Sequence, residues 1–183
     1  MRFNILLSGI LISFFVCSCQ ESVARRPKKH TTTNFYKEVI EQKKRLVKFE
    51  NRIIKKEIEK DTLENYQKSA SGFWYTYNVK KIEEAPKPKP EDVVIIRYNI
   101  KGLDNEVIYS EEELGEKEYK IDKEDFIPAL QDGIKLMKKG ETITFVIPSY
   151  RAFGVVGDEN RIGMNKTIKS TVTLIDIKSN IKK

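Results

Sequence analysis

The chain is poor in histidine and cysteine, the side chains on which many metal and nucleophilic sites are built. There is one histidine, His30, set in a polar Thr-rich stretch, so a His-based metal or acid–base site lacks its material. The two cysteines, Cys17 and Cys19, stand near the start, and no Ser/His/Asp set or metal-ligand cluster accompanies them. Gly154 and Gly157 enclose only Val155 and Val156, too short a segment for a phosphate-cradling loop and better suited to a tight turn. Whatever site the chain carries is not built on a Ser/His/Asp set, a histidine metal cluster or a nucleotide loop.

The elements that would position such a site must come from one compact domain plus an accessory segment, which is what 183 residues allow. Hydrophobic content of 39% and charged content of 33% describe a globular chain with a very polar surface. The formal charge of +7 is spread among interleaved acids, as in Lys55-Lys56-Glu57 and Lys117-Glu118. No basic block carries interleaved aromatics, so nucleic acid is not an expected partner.

Residues 1–18 read as a secretion signal: Arg2 is the positive start, and the apolar run Ile5 to Val16 is too short to span a bilayer. The tetrapeptide Val16-Cys17-Ser18-Cys19 resembles a bacterial lipoprotein cleavage site. The resemblance implies lipid attachment at Cys19 and durable membrane association through several acyl chains. An ordinary signal peptide that happens to contain cysteines is the alternative. With both cysteines so assigned, the mature chain has no disulfide. Gln20 and Glu21, by the same resemblance, imply a periplasm-facing protein on the outer rather than the inner membrane of the envelope.

Residues 19–34 read as a flexible polar tether. Residues 35–70 read as a long amphipathic helix with its stop at Ser69 to Gly72. Between Phe35 and Tyr66 the apolar pairs Val39/Ile40, Leu46/Val47 and Ile53/Ile54 recur every seven residues, followed by Ile58 and Leu63. That stripe either packs on the chain's own domain or forms the seam of a homodimer through helix 35–66. Residues 71–183 form the second part, with a stiff Pro-rich connector at 85–91 holding Pro86, Pro88 and Pro90. Strands are expected over Phe73 to Ile82, Val93 to Ile100, Val107 to Tyr109, Glu118 to Ile121, Thr142 to Ile147 and Thr167 to Ile177. The period changes to helical from Phe126 to Lys139, with Ile127, Leu130, Ile134 and Met137 on one side. The fold class is α+β: a half-open antiparallel sheet wrapped on one short helix, preceded by the long N-terminal helix.

From Val93 to Ile177 these segments resemble, in order, the motifs of an FKBP-type peptidyl-prolyl cis-trans isomerase. The quoted pieces are Val94-Ile95-Ile96-Arg97-Tyr98, Glu106 to Ser110, Phe126 to Ile134, Met137 to Glu141 and Pro148 to Gly154. With the lipid site and long helix, the whole looks like the isomerase lipoproteins of Bacteroidetes associated with gliding motility. The resemblance implies catalytic positions at Tyr98, Ile127 and Phe153, with the Ile127 N–H holding a substrate carbonyl. Ile108, Tyr109, Tyr119, Phe126, Leu130 and Ile162 complete the implied substrate pocket. It implies no cofactor and no metal, and as partners proline-containing client proteins or peptides of the cell envelope.

Three positions depart from the family pattern: Leu130 where a tryptophan is usual, Phe153 where a tyrosine is usual, and Tyr109 where an aspartate is usual. A weak or selective isomerase fits those departures. So does a non-catalytic peptide-binding or assembly module with a degenerate pocket.

Overall fold

The computed structural model describes residues 32–61 and 65–178. The expected signal, the expected lipid site Cys19, His30 and Leu63 lie outside the described residues. The chain divides after Glu38 into two units, 1–38 and 39–183, and apart from the start of the first helix the fold below belongs to the second.

Helix α1 runs from Thr32 to Ile58, three residues ahead of the expected start and well short of Tyr66. It stops early because the chain after it is drawn into the sheet. Its last turn tightens through Lys60 N–H to Glu57 O and Asp61 N–H to Ile58 O. A two-residue strand the sequence did not announce, β1 (Gln67–Lys68), then pairs with Tyr75 and Trp74 of β2 (Trp74–Val79). On α1 the domain-facing side carries Val47, Glu50, Asn51, Ile54 and Ile58, which recur at three and four residues, and Ile54 is fully buried. Val39, Ile40, Phe49 and Ile53 stay exposed. The second half of the stripe thus packs on its own domain, and Ile54 is not available to a dimer seam.

The other elements are β3 (Val93–Tyr98), β4 (Ile100–Gly102), β5 (Val107–Tyr109), the short α2 (Glu111–Leu114), β6 (Glu116–Lys120), α3 (Pro128–Ile134), β7 (Thr142–Ile147), a 3₁₀ turn (Ser149–Arg151) and β8 (Ile168–Lys178). The strands form one antiparallel sheet in the order β1-β2-β7-β8-β3-β6, with β4 between β5 and the start of β8. The span expected as one strand from Val93 to Ile100 is cut at Asn99. There the side-chain Oδ1 takes the Thr171 N–H at 3.1 Å and the carbonyl takes the Ser170 hydroxyl at 2.7 Å. Those bonds replace the regular ladder and turn β4 toward β5.

Alternation of apolar residues sets the inner face. Val94, Ile96 and Tyr98 of β3, Ile143, Phe145 and Ile147 of β7, and Ile168, Val172 and Leu174 of β8 all point into one core. Helix α3 covers that face with Ala129, Leu130, Gly133 and Ile134. It is shorter than the expected Phe126–Lys139. Pro128 sets its first turn, since proline is tolerated there and not further in. After Ile134 the chain tightens, with Leu136 N–H to Gly133 O and Met137 N–H to Ile134 O.

The depth at which α3 sits is fixed at Gly133. A Cβ there would lie 2.5 Å from Cε1 of the fully buried Phe145 ring, closer than real side chains approach. Gly133→Ala therefore sets two effects against each other. Helix propensity favours Ala by about 1 kcal/mol, while overpacking a closed core costs about 1–3 kcal/mol. The expected outcome is a net loss of stability, read as a lower denaturant midpoint at unchanged slope. A stabilised variant would contradict this seating.

Candidate functional site

The start of α3, the end of β3 and the segment after β7 meet around a cleft of about 340 Å³. Its lining is Tyr98, Ile100, Asp125, Phe126, Ile127, Pro128, Ala152 and Phe153. Every wall is aromatic or aliphatic except Asp125, which stands exposed on the rim.

Each wall is held from behind. Tyr98 ends β3 on the inner face, and its ring meets Phe126 edge-on, 5.4 Å between centroids at 89°. Phe126 also rests on Tyr119, at 5.1 Å. The Gln131 side-chain amide donates to the Phe126 carbonyl at 2.9 Å, and the Ile127 carbonyl takes the N–H groups of Leu130 and Gln131. Ile127 is 7% exposed, and its own N–H has no acceptor among the described residues. Burial pushes the Tyr98 phenol above its ordinary pKa, so it stays neutral and able to donate through the physiological range.

The lid of the cleft is the chain after β7. Arg151 ties it to α3 by donating to the Pro128 carbonyl and pairing with Asp132. The Tyr150 hydroxyl ties it to the Gly72 carbonyl at 3.2 Å. These bonds fix the base from which Ala152 and Phe153 reach the cleft. Phe153 brings a ring but no hydroxyl.

Of the residues expected from sequence, the structure brings Tyr98, Phe126, Ile127 and Phe153 together as cleft walls. Tyr119 and Leu130 are fully buried and support the cleft from the core without lining it. Ile162 is buried, 3% exposed, and also lies off the cleft's lining. Ile108 and Tyr109 do not line it either. Their strand is held against another part of the lid loop, where the Tyr109 hydroxyl donates to Asp158 and the Arg161 guanidinium stacks over the Tyr109 ring at 4.7 Å.

Sequence reasoning missed Ile100, Asp125, Pro128 and Ala152 among the walls, and Asp158 in the part of the lid loop that holds Tyr109. Asp158 accepts from the N–H of Ile162 at 2.7 Å and of Asn160 at 3.0 Å as well as from Tyr109, and so shapes the turn that buries Ile162. Partial burial works to raise the carboxyl's pKa, but those hydrogen bonds outweigh it and hold the group below its ordinary value. Gly157, with φ of +78°, lets the chain double back against the Ile162 carbonyl, where any side chain would collide. The local signal was present in the order Gly157-Asp158-Glu159-Asn160, a turn-forming run whose Asp can bond its own backbone two residues on.

Comparison with known proteins agrees with this geometry. Residues 84–175, half of the chain, match the family of FKBP-type peptidyl-prolyl cis-trans isomerases. A curated relative, the probable FKBP-type peptidyl-prolyl cis-trans isomerase FkpA of Neisseria meningitidis serogroup B, is 31% identical over 109 residues. That alignment covers 60% of this chain but only 39% of the relative, so the chain spans about two fifths of that protein's length. Among solved structures, a peptidyl-prolyl cis-trans isomerase from Pseudomonas syringae pv. tomato superposes with a TM-score of 0.60 at 21% identity, covering 74% of this chain and 96% of that one. FkpA from Escherichia coli superposes with a TM-score of 0.59 at 23% identity, covering 97% and 83%. At those identities the structures speak for the fold. With an apolar cleft of the right order and place and half its length matched, the chain belongs to the FKBP-type peptidyl-prolyl cis-trans isomerase family.

Proposed function

We propose that the protein is a peptidyl-prolyl cis-trans isomerase and folding helper, lipid-anchored on the envelope side and serving proline-containing clients. The observation that carries the catalytic part is the cleft itself: uncharged walls at Tyr98, Phe126, Ile127 and Phe153, next to an Ile127 N–H with no acceptor among the described residues. Rotation about an X–Pro bond meets a barrier of roughly 18–20 kcal/mol, set by C–N resonance. The twisted amide is less conjugated and less polar across C–N than either planar form. A cleft that excludes water favours it, and each tenfold acceleration needs about 1.4 kcal/mol of such preference. In this reading the prolyl ring enters between Tyr98, Phe126 and Phe153, and the Ile127 N–H holds a substrate carbonyl. No proton is transferred and no bond is broken.

A gliding or surface-secretion machine is the client system that the resemblance to Bacteroidetes isomerase lipoproteins favours. The exposed Val39 and Ile40 leave the first half of the α1 stripe open to a second copy, so a homodimer through that half belongs to the same proposal. The second reading, a peptide-binding or assembly module without turnover, is favoured by one observation: Phe153 offers no hydroxyl to the twisted amide.

Two variants separate these readings in a prolyl-exchange assay. Phe153→Tyr adds one donor at the lid, and under the isomerase reading it raises the catalysed rate by up to about tenfold. Ile127→Asp places a charge in a cleft that acts by excluding water, and abolishes the rate. Binding of proline peptides with no acceleration by the wild type, and none gained by the tyrosine, would leave the assembly-module reading.

The anchor has its own test. Cys19→Ala should move the protein from the membrane to the soluble fraction of the envelope, because the acyl chains that hold it are absent. Unchanged membrane association, with no lipid on the wild-type chain, would end the lipoprotein proposal.

A further inference from the structure

One carboxylate of helix α1 is hydrogen-bonded to the lid loop. Glu50 lies on the domain-facing side of the helix, four residues before Ile54, and is only 4% exposed. Its Oε1 accepts from the Ser149 N–H at 3.2 Å and from the Thr167 hydroxyl at 3.3 Å. Ser149 and Thr167 are not neighbours in the chain. They are the two ends of the loop between β7 and β8, just outside the last ladder pair, Ile147 with Ile168. One side chain therefore closes the neck of the loop that carries Ala152, Phe153, Asp158 and Ile162.

What happens at Ser149 is felt at the cleft. The Ser149 carbonyl takes the N–H groups of both Ala152 and Gly154 at 2.9 Å, and the Gly154 carbonyl takes the Asn165 N–H at 2.8 Å. Phe153 sits between the first two of those donors. A shift of Ser149 would carry Phe153 with it. For simple packing, an apolar residue would be cheaper to bury at position 50 than a carboxylate whose Oε2 has no partner among the described residues. What the carboxylate adds is two directed bonds to two distant points of the chain.

We infer that Glu50 is a positioning residue for the prolyl cleft: it clasps Ser149 and Thr167, sets the lid that bears Phe153, and makes the cleft depend on the docking of α1. The inference rests on the isomerase reading for its rate consequence, but not for its structural one.

The test compares Glu50→Ala, Glu50→Gln and Ile143→Val in the full chain, each studied where it is folded. Ile143 is a core residue at the end of β7 away from the lid, so its truncation lowers stability without touching the loop neck. Three quantities are measured: amide resonances of Ser149, Ala152, Gly154 and Asn165, affinity for a proline peptide, and prolyl-exchange rate. Glu50→Ala should shift those resonances and lower affinity or rate by about tenfold, the scale of lost hydrogen bonds and a displaced wall. Glu50→Gln keeps an acceptor oxygen and should stay within about twofold of wild type. Ile143→Val should leave the lid resonances in place. If Glu50→Ala does not fold, Thr167→Val, which removes one of the two donors, should shift the same amides by less. Wild-type resonances and peptide affinity in folded Glu50→Ala, or equal losses in Glu50→Ala and Ile143→Val, would overturn the clasp. A wild type that accelerates no prolyl bond would defeat only the isomerase reading, because the resonances and affinity still decide the clasp.

Discussion

The contact between the Gly133 backbone and the Phe145 ring is the constraint from which the site follows. Helix α3 lies as deep in the sheet's inner face as that ring allows. The depth places Leu130 and Ile134 fully in the core and leaves Ile127 and Pro128, one turn earlier, at the edge where β3 ends in Tyr98. A cleft forms there because two buried surfaces stop short of each other. Tyr98 and Phe126, their rings edge-on, then form its back wall, with Tyr119 supporting Phe126 from the core. The resulting floor is rigid, which is what preferential binding of one amide geometry requires.

The other half of the cleft is built differently. The lid is a loop, and its shape comes from polar ties instead of packed apolar surface. Arg151 holds it to α3, Tyr150 to Gly72, Glu50 to α1, and Asp158 to Tyr109 of β5. Three elements and the β1–β2 turn converge on one loop through side chain–backbone or side chain–side chain bonds. Such bonds are directional and contribute modestly one by one, so the lid's geometry is a joint product of them.

This division explains what was legible in the sequence. Strands β3, β7 and β8 show the alternation that burial of one face imposes, and the α3 segment shows the helical spacing of Ile127, Leu130, Ile134 and Met137. Those patterns are local, and the core follows from them. The cleft's aromatic walls were legible only as an ordered set of motifs. Ile108 and Tyr109 were expected to line it, and the polar tie from Tyr109 to Asp158 holds them on another part of the lid loop instead. No periodicity records a bond between residues that far apart. The end of α1 was lost for a similar reason, since pairing of Gln67 and Lys68 with β2 outweighs a helical pattern that runs on to Tyr66. Glu50 did leave a trace: it is a charge inside the stripe between Val47 and Ile54, where an amphipathic helix would carry an apolar residue.

The central claim is that the cleft accelerates prolyl rotation by selective binding alone, with no titrating group in the step. The phenol that lines the cleft agrees: burial holds Tyr98 above its ordinary pKa, so it stays neutral through the physiological range. The most direct measurement is the catalysed exchange rate of a proline peptide across pH, in ordinary and heavy water. A rate above the uncatalysed one, flat from about pH 5 to 9 and nearly unchanged in heavy water, is the predicted result. A bell-shaped profile or a large solvent isotope effect would show proton transfer in the step and contradict the account.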